Sequence, residues 1–273
     1  MSRTEEARDS LATAGDLSLR YGFESWPGKQ GPVVAGITAE ELIRLAGPLR
    51  KDHDDWLEAD GEWLMVRQFA AADAGLIIDV AVTRSGRSAQ GFLFAHLTRL
   101  SSMQPLAPPA LPCGRIRLTG IGDVCFALPT HGESFHSIEF VRHNIAVFLR
   151  STGKGERDLK KAAESIDQYI LSRPRYTDWR SSGLWISVDK FELPESLVKE
   201  GSLTPLFVSV SDPRNESVVR SWELSAGGIV EEEGQILYYA EGEGDQSVTL
   251  LIADESGLAT SARAEVTVVR RRK

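Results

Sequence analysis

Apolar residues along the chain fall into two kinds of spacing, and the change between them divides it. Near the start, Thr38-Ala39-Glu40-Glu41 reads as a capping box: the Thr hydroxyl takes the N3 amide and the Glu reaches back. Ile37 and Leu42 form the matching hydrophobic staple, so the pattern predicts a helix from Ala39 to about Ala46, ended by Gly47-Pro48. A second helical stripe runs from Asp158 to Leu171, where Leu159, Ala162, Ala163, Ile166, Tyr169 and Ile170 recur at spacings of three and four. Asp158 caps it after Gly153-Lys154-Gly155. Between these helices the pattern predicts strands over Trp63 to Ala70 and Gly75 to Val82, joined by a short connection at Ala71 to Ala74. Gly91 to Leu97 reads as β or mixed structure, and His136 to Leu149 as a strand in which Asn144 marks a bulge or turn. Glu5 to Leu19 fits a loose helix, and Trp26-Pro27-Gly28 a loop. Met103 to Pro112 holds four prolines and reads as a rigid loop. Arg115 to Val124 reads as a short hairpin turning at Gly120-Ile121-Gly122-Asp123.

After Ser172-Arg173-Pro174-Arg175, which has the look of a linker, helical periodicity stops. Short β segments follow at Leu184 to Phe191, Leu203 to Val210, Val218 to Leu224, Ile236 to Ala240, Ser247 to Asp254 and Ala262 to Val269. Turn-rich intervals at Ser211 to Asn215, Glu241 to Asp245 and Asp254 to Gly257 separate them. That strand count suits an aligned sandwich. The expected fold class is therefore α+β: an α+β domain over residues 1–172, then an all-β, immunoglobulin-like sandwich over 173–273. A parallel α/β sheet fits less well, because the strand-helix alternation is irregular.

The run Trp222 to Ile229, the pair Tyr238-Tyr239, the alternating Val248 to Ile252 and the turn Asp254-Glu255-Ser256-Gly257 resemble bacterial immunoglobulin-like and polycystic-kidney-disease-type domains. The resemblance covers residues 184 to 269. It implies an extracytoplasmic module that serves as spacer, adhesion unit or carbohydrate-associated accessory. An inter-sheet cysteine pair is missing, so antibody-type domains match poorly, and fold likeness does not fix function. The Gly122-Asp123 hairpin, Ile138 to Val147 and the helix through Ile166-Asp167 resemble uncharacterised exported bacterial proteins, from which no functional residue is carried over.

Composition adds limits. The 273 residues suffice for two domains, and a net charge of −8 argues against general nucleic-acid binding. The closing Arg270-Arg271-Arg272-Lys273 fits a solvated tail, a cytoplasmic flank or an anion contact. No stretch reaches the roughly 18 apolar residues that span a bilayer, and no targeting segment stands at the start. Cys113 and Cys125 match neither a redox nor a zinc spacing; a disulfide across the hairpin and two buried thiols both fit.

Candidate chemistry gathers near the hairpin. His131, His136 and His143, with Asp123, Cys125 and Glu133, include metal-compatible and nucleophile-base types, yet without HxxxH or HxH spacing. Ser134 lacks the second glycine of a nucleophile elbow, and Gly153-Lys154-Gly155 and Gly120-Ile121-Gly122 read as turns. His53-Asp54-Asp55 with Glu58, Asp60 and Glu62 is acidic but follows no EF-hand spacing, and Glu241 to Asp245 reads as a solvated loop. Trp56, Trp63, Trp179, Trp185 and Trp222 suit core positions better than a glycan-binding surface, Trp222 above all, while Trp179 and Trp185 suit packing between the two domains. Arg142 and Arg150 suit the solvent face of a strand.

No catalytic, cofactor-binding or metal-ligating residue is assigned, and no cofactor is expected. The expected function is non-enzymatic binding or structural support outside the cytoplasm, periplasmic or at the cell surface, with a protein or glycan partner. The alternative is a hydrolase-like enzyme with a divergent site around Asp123, His131 and His143 and an accessory sandwich.

Overall fold

The computed structural model describes residues 32–59, 62–71, 75–102, 115–130, 134–152, 158–212 and 217–270. It is mostly β-structure with a few helices, in two compact units. The early helix over residues 5–19, the loop at Trp26, the proline-rich loop, Cys113, His131, Glu133 and residues 153–155 lie outside the described residues.

In the first unit, α1 (Ala39–Ala46) starts as its sequence requires. The Thr38 hydroxyl accepts the Glu41 amide at 3.3 Å, and Glu41 Oε2 accepts the Thr38 amide at 2.8 Å. Ile37 and Leu42 are both buried, and Gly47 ends the helix at φ 92°. A seven-stranded sheet follows, antiparallel throughout. It consists of β1 (Leu49–Ala59), β2 (Glu62–Ala71), β3 (Leu76–Val82), β4 (Ile116–Leu118), β5 (Val124–Pro129), β6 (Phe135–Arg142) and β7 (Ile145–Ser151), in the order β1-β2-β3-β7-β6-β5-β4. The two meanders join where β3 pairs with β7.

Helix α2 (Gly86–Ser102) packs Ala89, Leu93 and Leu97 onto Val66, Phe126, Val141 and Phe148. Side chains alternate across a strand, so Phe140 and Arg142 of β6 face the other way. There they meet α3 (Leu159–Ser172), which buries Leu159, Ala163, Ile166 and Ile170. Covered on both faces, Ile145 to Leu149 of β7 is buried without interruption.

The structure departs from the sequence reading in several places. Gly91 to Leu97 is helical, because Ala89, Leu93 and Leu97 share one face and Ser85 caps it by accepting the Ser88 amide. Aromatic content at Phe92 and Phe94 counted for less than that stripe. The acidic run His53 to Glu58 lies in β1, a sheet edge whose charges pair locally, as Lys51 does with Asp54. Residues 136–149 are two strands around a turn. Ser172 to Arg175 is no free linker: Arg173 donates to Glu41 and to the Gly36 carbonyl, and Tyr176 bridges Val33. The first unit runs on to Gly183 and includes residues 256–258.

Among the described residues the regular elements of the second unit are strands: β8 (Ser187–Glu192), β9 (Leu197–Lys199), β10 (Leu203–Pro205), β11 (Phe207–Ser211), β12 (Val218–Leu224), β13 (Gly228–Glu232), β14 (Gln235–Tyr239), β15 (Gly244–Asp254) and β16 (Ala259–Val269). They form the sheets β12-β15-β16-β9, β10-β14-β13 and β11-β8. Buried Leu206, Tyr238, Val248, Val266 and Val268 from different sheets share one core, with half-buried Trp222 against it, which makes this a β-sandwich. Its final strand pairs in parallel with β9. Leu203 to Val210, read as one strand, is two, since Leu206 turns inward and its amide bonds Ile236.

Strands β13 and β14 are joined by Glu233-Gly234, at φ 50° and 78°. A two-residue turn with both φ positive favours Asn-Gly. Glu233→Asn is expected to stabilise the second unit by about 0.5–1 kcal/mol, read as a higher denaturant midpoint with unchanged m-value.

Candidate functional site

Two places combine polar chemistry or exposed apolar surface in a way that bears on function. The first contains the residues singled out from the sequence. Gly122, at φ 66°, has Val141 O and Val124 O at 2.7 and 2.9 Å from where a Cβ would sit, so only glycine lets the chain pass. That passage sets Asp123 over the β6–β7 turn. Asp123 Oδ2 accepts the His143 amide at 2.6 Å, and Oδ1 accepts Arg142 Nη1 at 2.9 Å. From α3, buried Asp167 takes the other edge of the same guanidinium, at 2.7 and 2.8 Å. Arg142 is thus a strand residue aimed at a helix rather than at solvent. Its bond to Asp167 raises its pKa, against the cost of burial.

His143 is the first of the two turn residues and stands at φ 56°, a position that normally takes glycine. Its ring is buried, which lowers its pKa, opposed by Asp123 and reinforced by Arg175 and Arg142. Nε2 has no hydrogen-bond partner among the described residues, and Nδ1 lies 3.9 Å from Asp123. Asn144 is fully buried and fully used: Oδ1 accepts the Val34 amide at 2.8 Å, and Nδ2 donates to Val34 O and Thr83 O at 3.2 and 2.9 Å.

Asp123 and His143 therefore meet, but as parts of an ion cluster that occupies both carboxylates. His136 is exposed on β6 and Cys125 is a buried free thiol whose pKa burial pushes far up, so neither joins them as nucleophile or base. Ser134 is exposed. Among the described residues no group of three His, Cys, Asp or Glu side chains is placed to hold a metal. A cleft of about 350 Å³ between α1 and α3, lined by Leu45, Leu76, Asp158, Leu159 and Lys161, shares no residue with the cluster. On the second face of β6, Arg115 forms a buried pair with Glu139 at 2.8 Å, and Arg150 pairs with Asp79. His53 bonds Asp52 and Asp55 on the exposed edge strand. Trp179 stacks with Arg84 and Arg180, Trp185 donates to Ala259 O at 3.1 Å, and the Glu241 carbonyl accepts Gln246 Nε2.

The second place was not singled out from sequence. In the sheet β10-β14-β13, Leu203 pairs with Tyr239 and Tyr239 with Gly228, while Pro205, Leu237 and Val230 form the next row on the same face. The intervening row, Thr204, Tyr238 and Ile229, faces the core. Leu203, Tyr239 and Val230 remain 49, 39 and 38% exposed. Nothing lies within 4 Å of where a Gly228 Cβ would be, so the surface opposite Tyr239 is open there. The signal was available in Ile236-Leu237-Tyr238-Tyr239-Ala240, apolar at both parities where one buried face needs only one.

No family model matches the chain, and no curated protein matches it. Among solved structures, tandem Ig repeats of Dlar align at 8% identity over 54% of this chain and 88% of theirs, with a TM-score of 0.27. The fibronectin(III)-like modules of Clostridium thermocellum CbhA align at 9% over 57% and 94%, also at 0.27. Scores this low carry no argument, so the sandwich assignment rests on the strand pairings. Among the described residues no helix is long and apolar enough to cross a membrane.

Removing Asp167 takes two charge-assisted bonds from half-buried Arg142 and leaves Asp123 as its remaining partner. Asp167→Ala is expected to cost about 1.5–3 kcal/mol in the first unit, measured by chemical denaturation. The lowered pKa of His143 means that the unfolded chain binds the proton more readily. Stability is then complete above the ordinary histidine value and falls as pH drops below it toward the lowered one. His96, lowered by burial as well, adds to the same slope. His143→Asn is expected to flatten part of that slope in melting curves between pH 7.5 and 5.

Proposed function

We propose that the chain is a non-enzymatic binding protein that works outside the cytoplasm, with an α+β body followed by an immunoglobulin-like module that carries the binding surface. The observation behind this reading is the apolar face on which Leu203, Pro205, Val230 and Tyr239 are exposed around half-buried Leu237. Water-facing apolar rows on a sheet mark interaction surfaces rather than ordinary exterior. The Asp123-Arg142-Asp167 cluster bears on the hydrolase alternative, because both of its carboxylates are committed to one guanidinium. The extracytoplasmic part rests on the resemblance of residues 184 to 269 to modules of that kind.

A photo-crosslinking residue placed at 230 or 239 in producing cells tests the reading. A discrete adduct is expected from both positions, in the extracytoplasmic fraction, and not from exposed position 164 on α3. Equal labelling from all three positions would remove the binding face. Turnover of ester, phosphate or glycoside substrates that Asp123→Asn abolishes would install the hydrolase reading instead.

A further inference from the structure

Charge around this face narrows what it holds. From Ser221 to Ala262 the chain has nine acidic residues and no Lys, Arg or His, so this stretch carries −9 against −8 for the whole protein. Glu231, Glu232 and Glu233 stand exposed where β13 turns into β14, and Glu241 and Glu243 where β14 leads into β15. The apolar rows lie between these two groups. Among the described residues, no basic side chain forms an ion pair with any of the five carboxylates.

Strand β13 closes the sheet order β10-β14-β13 and is paired on one side only among the described residues. Its backbone from Gly228 to Glu232 therefore offers a free edge beside the apolar rows. A second copy of the chain suits this place poorly, because it would bring the same carboxylates against themselves.

Building on the binding reading above, we infer that the face takes a basic extended polypeptide segment, added as a strand along β13. Alternation then fixes its pattern. Apolar side chains of the segment fall opposite Gly228 and Val230, one of them over the open space that Gly228 leaves opposite Tyr239. Lys or Arg falls opposite Glu231 and Glu232. Main-chain bonds along β13 supply affinity, and the carboxylates select the charge.

The test pans a displayed random decapeptide library against the intact chain and measures the enriched peptides by fluorescence anisotropy. Enriched sequences are expected to be net positive with apolar residues at alternate positions. Their affinity is expected to fall roughly tenfold between low and moderate salt. Gly228→Leu places a side chain in that open space without backbone strain, since nothing lies nearby and its φ is not positive. It is expected to weaken binding at least about tenfold while leaving the melting temperature in place. Glu231→Lys with Glu232→Lys is expected to shift selection to acidic peptides. Enrichment of neutral or acidic sequences, binding indifferent to Gly228→Leu, no enrichment, or a dimer in sedimentation that Gly228→Leu dissolves would each overturn the inference. A crosslinked adduct from positions 230 and 239 alongside any of these results would leave the binding reading standing and remove only the basic strand.

Discussion

The two-residue turn at His143-Asn144 is the joint on which the first unit depends. Asn144 is fully buried, and its side chain accepts one backbone amide and donates to two carbonyls, while its own carbonyl receives the amide and hydroxyl of Thr83. Through it, the segment at Val34 and the end of β3 are tied to the centre of the sheet. An unmet polar group at such depth costs more than a met one contributes, so these bonds specify the arrangement as much as they strengthen it. Arg142, one residue before the turn, extends the joint to α3 through Asp167 and to the Gly122 passage through Asp123.

That joint explains why residues with catalytic-looking chemistry sit together. Asp123, Arg142 and His143 converge because a tight turn needs its amide and its neighbouring charge satisfied where helix, hairpin and sheet meet. The exposed face of the second unit has the opposite character. Its apolar rows at Leu203, Tyr239 and Val230 stay partly open to water, while the core holds Tyr238 and Leu206 from neighbouring positions. Apolar surface left open to water, beside a free strand edge and between two groups of carboxylates, is where binding is best sought.

Local signals were the legible part of the sequence. The capping box at Thr38 and Glu41, the stripe of α3 and the strand Val218–Leu224 follow from contacts within one element and appear where expected. Helix α2 was not legible, because Phe92 and Phe94 favour β on propensity, and only its tertiary packing through Ala89, Leu93 and Leu97 reveals the helical face. The edge strand β1 was hidden by its charges, which protect an edge rather than mark a loop. Asp167 was overlooked as a site residue, since nothing local in α3 announces that an arginine from β6 will meet it 25 positions away. The exposed face required the register of three strands, which no single segment contains.

Native-state hydrogen exchange at the His143 amide, the proton held by Asp123, tests the structural role of this joint most directly. If turn and ion cluster lock the first unit, that amide exchanges only with unfolding of the whole unit, at the free energy found for the β3–β7 core. Rapid exchange through a local opening of the turn, with the core amides still protected, would contradict the lock and return Asp123 and His143 to the list of groups free to do chemistry.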